Sequence, residues 1–156
     1  MHPSLFAVTA VGALAFAASV AAAPAPKSTL PPPADQAVAR EVLQQLIEIN
    51  TVDEVTPAAT AMRDRLVAAG FALGDIQLLA PPGHPEQANL VLRYHGKGKA
   101  KPILWICHLD VVQALPADWT VPPFKLTEKD GYFYGRGTAD VKGDDAALVA
   151  TLIRLK

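Results

Sequence analysis

The chain has 156 residues, with 14 basic against 15 acidic side chains and a formal net charge of -1. That balance excludes a basic surface for nucleic acid or for an acidic membrane. A single cysteine excludes an internal disulfide and a cysteine-built metal site, so stability must come from an apolar core.

Residues Met1 to Ala22 hold no Lys, Arg, Asp or Glu, and Leu5 to Val20 form an apolar run that ends in small residues. Residues 1–22 therefore read as a secretory signal peptide, with an uncleaved membrane anchor as the alternative. The run is shorter than the roughly 20 residues of a spanning helix, which favours cleavage. An exported protein, periplasmic or extracellular and free of the membrane after cleavage, is expected. Residues 23–34, with Pro24, Pro26 and Pro31 to Pro33, form a Pro- and Ala-rich tether expected to be extended or disordered.

Folding is expected to begin at Asp35. Val38, Val42, Leu46 and Ile49, widened by Leu43 and Ile47, give a helical apolar stripe over 35–49. Thr56-Pro57 resembles an N-cap and first-turn proline for a second helix through Ala69, stopped by Gly70. Strands are predicted over Asp75–Leu79, Asn89–Tyr94 and Ile103–Cys107, and short pieces at Phe124–Leu126 and Tyr132–Tyr134 predict a hairpin around Asp130-Gly131. From Asp144 a last helix is expected, with Leu148, Leu152 and Leu155 on one face. This order of elements points to a three-layer α/β domain and not to an all-helical or all-strand fold.

Chemistry concentrates in two places. Pro102-Ile103-Leu104-Trp105-Ile106-Cys107 has the pattern of a strand buried on both faces, and polarity begins abruptly at His108. The crevice beyond the carboxyl end of such a strand is where α/β proteins bind ligands. His108 and Asp110, two apart on an extended chain, would project together. A ligating imidazole donates its second ring N–H to a carboxylate or carbonyl, a role open to Asp110; His-x-Asp taken alone is equally a strand end that meets water. Asp140 lies in a loop flanked by Gly135, Gly137 and Gly143. A carboxylate there could bridge two cations about 3.5–4 Å apart, or simply be solvated in a Gly-rich turn. No Gly-x-x-x-x-Gly-Lys-Ser/Thr is present, which argues against a phosphate loop. His84 and His95 sit in Pro- and Gly-bearing contexts that suggest the surface, and Asp144 and Asp145 suit the positive end of a helix dipole.

Cys107-His108-Leu109-Asp110-Val111-Val112, Trp119, Pro123-Phe124, Asp130-Gly131, Tyr134-Gly135-Arg136-Gly137 and Asp140-Val141-Lys142-Gly143 follow one another in order. Together they resemble the di-zinc aminoacylase and carboxypeptidase family of metallopeptidases. The resemblance implies an α/β/α catalytic domain with a mixed, mostly parallel sheet, of which residues 35–156 are the N-terminal part. It implies that His108 and Asp140 are metal ligands, Asp140 bridging two zinc ions, and that Asp110 is the catalytic-site residue that orients a ligand imidazole. Cobalt or manganese suits the same donors.

The reaction implied is hydrolysis of a peptide or N-acyl amide bond in a small substrate, with homodimerisation through an inserted second domain. The family's general-base Glu and its further ligands follow the Asp-x-Lys-Gly segment and are not in this chain, which alone is expected to be inactive. Gln113 stands where the family usually has Pro, and Cys107 where it has a small residue such as Gly. On a strand, Cys107 would face away from His108 as a small buried hydrophobe. The competing expectation is a truncated or degenerate member that folds as a non-catalytic module.

Overall fold

The computed structural model describes residues 29–156; the expected signal peptide and all but the end of the tether lie outside them. Pro31–Lys156 forms one compact unit. It is an α/β assembly of three helices, α1 (Pro33–Glu48), α2 (Thr56–Ala68) and α3 (Lys142–Leu155), and four short strands, β1 (Ile76–Leu79), β2 (Asn89–Leu92), β3 (Thr127–Lys129) and β4 (Tyr132–Tyr134). Among the described residues no helix is long and apolar enough to cross a membrane.

Helix α1 begins at Pro33, so the last two tether residues are helical. Proline at the first helical turn has its φ already set and lacks only an N–H that would have no partner there. Its expected stripe is the buried one: Val42, Leu43, Leu46 and Ile47 pack with Ala58, Met62 and Leu66 of α2 and with Ala146 and Val149 of α3. Full burial of each large side chain stabilises by about 1.5–3 kcal/mol before chain entropy is counted. The expected face of α3 is displaced. Ala146, Val149 and Ala150 are its buried apolar residues, and Leu155 is 55% exposed. The small alanines let α3 lie close against α1.

Thr56 is not an N-cap. It lies inside α2, and its hydroxyl donates to the Pro85 carbonyl (2.7 Å) and accepts from the Ala88 N–H (2.8 Å). The Glu86 carbonyl accepts from the N–H groups of Val55 and Thr56, so the start of α2 is satisfied by a distant loop. At the other end, Gly70 N–H to Val67 O and Phe71 N–H to Leu66 O close the helix with a buried Phe71.

The strands form two separate antiparallel pairs, β1 with β2 (Ile76 opposite Leu92, Leu79 opposite Asn89) and β3 with β4 (Lys129 opposite Tyr132). The mostly parallel sheet is thus not formed among the described residues. The first arm of the hairpin is Thr127–Lys129 instead of 124–126. Asp130 (φ 54°) and Gly131 (φ 79°) make a two-residue turn with both φ positive, and such a turn requires the strands to abut it directly. The larger correction is at Ile103–Cys107, which joins no sheet. Ile103, Leu104, Trp105 and Ile106 are 87, 81, 67 and 78% exposed. A strand buried on both faces needs a hydrogen-bonded neighbour and cover on each side, and no described strand pairs with this one.

Candidate metal centre

Beyond this exposed run the chain is pinned. Thr51, fully buried just after α1, donates from its hydroxyl to the Leu109 carbonyl (2.6 Å), and its own carbonyl accepts from the Val111 N–H (3.2 Å). The second segment is folded on itself. Arg136 N–H donates to Pro123 O (2.6 Å), the Thr138 hydroxyl to Gly135 O (3.1 Å), and Lys142 N–H to Gly137 O (3.0 Å). Lys142 is fully buried, and its amine donates to Leu46 O (2.7 Å) in the last turn of α1 and to Ile49 O (2.9 Å) at its C-cap. A cation on those carbonyls answers the negative end of the helix dipole. Burial pushes its pKa down to about 8.

These anchors bring His108 and Asp140 together. His108 Nε2 lies 3.0 Å from Asp140 Oδ1, and His108 Nδ1 lies 3.1 Å from the Asp110 carbonyl and 3.4 Å from its carboxylate. Nδ1–H therefore donates to the backbone of Asp110, which leaves Nε2 aimed at Asp140. The orienting group at closest range is the Asp110 carbonyl and not the carboxylate expected from the sequence. The two residues meet through this local hydrogen bond and not through a strand. Desolvation works to lower the His108 pKa, but the hydrogen bonds to Asp110 and Asp140 and both negative charges outweigh it and hold the imidazole above its ordinary value. The three residues line a cleft of about 460 Å³ with Trp119, Arg136 and Thr138. The Arg136 guanidinium lies over the Trp119 ring at 5.1 Å, and so fixes one wall.

An imidazole nitrogen and a carboxylate oxygen are donors that suit zinc. Two such atoms on one tetrahedral zinc stand about 3.4 Å apart, close to the separation seen here. The donor chemistry fits, but the number falls short of the three protein ligands or so that a catalytic zinc takes. Among the described residues no group of three His, Cys, Asp or Glu side chains converges. His108 and Asp140 thus offer two donor atoms of a kind that suits zinc, with no third side chain beside them among the described residues.

The other titratable groups separate cleanly. His84 and His95 are exposed and paired with Glu86 and Asp75. Cys107 is free and half-buried, and desolvation followed by the charges of Asp145 and Asp144 raises its thiol pKa. Asp145 lies in the first turn of α3, at the positive end of the helix dipole as expected. It is buried, its Oδ2 has no hydrogen-bond partner among the described residues, and burial pushes its pKa up to about 6. The peptide bond from Asp140 to Val141 is cis. Sequence reasoning gave no role to Lys142, which it named only as part of the Asp140-Val141-Lys142-Gly143 block, and passed over Thr51, for which there was no sign.

Residues 104–156 match the family model described as peptidase family M20/M25/M40. The chain is 54% identical over 72 residues to a probable succinyl-diaminopimelate desuccinylase of Staphylococcus aureus strain Mu50, a match covering 45% of this chain and 17% of the relative. It is 39% identical over 114 residues to the succinyl-diaminopimelate desuccinylase of Xanthomonas campestris pv. campestris strain B100, covering 70% of this chain and 28% of the relative. The chain therefore spans less than a third of the length of these relatives. The matched segment carries His108, Asp110 and Asp140 on the geometry described above, and that segment, residues 104–156, is of the peptidase family M20/M25/M40 type.

Proposed function

We propose that the complete protein is an exported, zinc-dependent hydrolase of amide bonds that acts on a small N-acyl amino acid or peptide. The observation that carries this reading is the 3.0 Å approach of His108 Nε2 to Asp140 Oδ1 inside the family-matched segment. His108 and Asp140 would hold metal, and Asp110, through its carbonyl, keeps the proton on Nδ1 so that Nε2 stays a ligand. Bound zinc supplies polarisation of the scissile carbonyl and a water of lowered pKa. The names of the relatives support N-succinyl-diaminopimelate as the first substrate to try. The uncharged, apolar residues 1–22 support export and removal of that segment, and the family resemblance supports a homodimer.

The competing reading is a folded module without catalysis. One experiment decides between them. The complete reading frame is expressed, its metal measured by mass spectrometry, and hydrolysis followed on N-succinyl-diaminopimelate and a dipeptide panel with and without chelator. About two zinc ions per chain and chelator-sensitive turnover support the hydrolase. A metal-free, inert protein supports the module. N-terminal sequencing of exported material tests cleavage near Ala22.

A further inference from the structure

The two donor-bearing segments share little secondary structure, yet each makes a buried polar connection to the end of α1 or the turn just after it. Lys142 reaches the carbonyls of Leu46 and Ile49, which ties the Asp140 loop to the C-terminus of α1. Two residues after Ile49, Thr51 holds Leu109 by its hydroxyl and Val111 by its carbonyl, one residue on either side of Asp110. Thr51 is fully buried and Leu109 half-buried, so the Thr51 side of both contacts is shielded from water. The run before His108 joins no sheet, and that leaves the Thr51 contacts as the described backbone anchor of the His108–Asp110 turn.

We propose that Thr51 is a positioning residue for the metal centre, acting through Leu109 and Val111 to set the His108 imidazole against Asp140. The inference rests on the reading of His108 and Asp140 as ligands and goes beyond it, since Thr51 touches neither metal nor substrate. The hydroxyl is the decisive group. Without it the Leu109 carbonyl loses its partner, and one of the two clamps on the turn opens.

The test compares Thr51→Val, which keeps shape and loses the hydroxyl, with Thr51→Ser, which keeps the hydroxyl and loses the buried methyl. Both are made in the complete protein. Zinc affinity is read by competition with a chromogenic chelator, the ligand field from the visible spectrum of the cobalt-loaded protein, and fold by circular dichroism and Tm. In metal-free protein, NMR follows the contact between the His108 ring protons and the Asp140 β-protons. T51V is expected to weaken zinc by about 10-fold or more, as outer contacts to metal ligands do, to shift the cobalt spectrum and to lose the His108–Asp140 contact. T51S is expected to match wild type in all three, even with a lower Tm. Wild-type behaviour of T51V overturns the proposal, as does a T51S variant that loses affinity in step with its stability. If T51V does not fold, T51S decides alone: a lower Tm with an unchanged cobalt spectrum supports the role of the hydroxyl, and a changed spectrum overturns it. Wild-type protein that binds no zinc would sink the proposed function instead, and the NMR contact in the two variants would still judge Thr51.

Discussion

Substituting Gly137 by alanine separates backbone strain from packing at the Asp140 loop. Gly137 has φ 91°, and a Cβ built there would come 2.9 Å from Val111 Cγ1 and 3.1 Å from Lys142 Cδ. Both neighbours are buried, at 7 and 0% exposure, so neither can swing into solvent. Holding an L-residue in the left-handed region costs about 1–2 kcal/mol, and overpacking a filled site adds about 1–3 kcal/mol. The sum is about 2–5 kcal/mol. Gly131 supplies the control, with φ 79° and nothing within 4 Å of its would-be Cβ, so Gly131→Ala should cost only the backbone share of about 1–2 kcal/mol. Urea titrations of the two variants and the parent, followed by far-ultraviolet circular dichroism, give the difference directly. G137A should be the less stable of the pair by at least about 1 kcal/mol, with its midpoint lowered and its slope unchanged. Equal midpoints for G137A and G131A would refute the claim that close packing at Gly137 holds the loop against Val111.

Met62 of α2 is 1% exposed in the core cluster, and Met62→Ala should destabilise by about 2–5 kcal/mol in thermal or urea unfolding. Thr56→Val removes the acceptor of Ala88 N–H and the donor to Pro85 O, for a loss of about 1–3 kcal/mol; hydrogen exchange at the Ala88 amide should rise more than at amides of α1. His108→Ala and Asp140→Ala should each abolish stoichiometric zinc in the complete protein while circular dichroism is retained, because both side chains are at least half exposed and carry little of the core. Trp105 is 67% exposed and Trp119 is part-buried under Arg136. Acrylamide should therefore quench the fluorescence of this chain in two components, and Trp105→Phe should remove the more accessible one.

What could be read from the sequence follows the range of the forces involved. The stripe on α1 and the stop at Gly70 are local patterns, and both appear where periodicity and end chemistry place them. The hairpin was legible from Asp130-Gly131, but its register needed the turn's φ angles. Ile103–Cys107 reads as a strand because its composition is that of one, yet strand formation depends on neighbours that a one-dimensional pattern does not contain. The face of α3 was misjudged for a related reason: the leucines are larger, but the alanines permit the closer approach to α1. For the site, His108 and Asp140 lie 32 residues apart, and only the ordered motif linked them. Lys142 stood in that motif without its anchoring role being legible and Thr51 stood in none, since a lysine or threonine becomes an anchor only once the carbonyl it meets has been placed by the fold.

The position of these anchors also explains how a chain with little sheet can still present two ligand-type side chains at 3.0 Å. Precision at a metal site requires that each donor be tied to a rigid element. Here the rigid element is α1, whose four buried large residues fix it in the core. Its last turn would otherwise leave the Leu46 and Ile49 carbonyls short of donors. Lys142 uses that deficit: the carbonyls gain a charged donor, and the backbone leading from Asp140 gains a fixed point two residues away. Replacing Lys142 by methionine would preserve most of the buried volume and remove both connections at once. It should therefore disturb the Asp140 loop more than a comparable change at the exposed Ile103–Ile106, which joins no sheet.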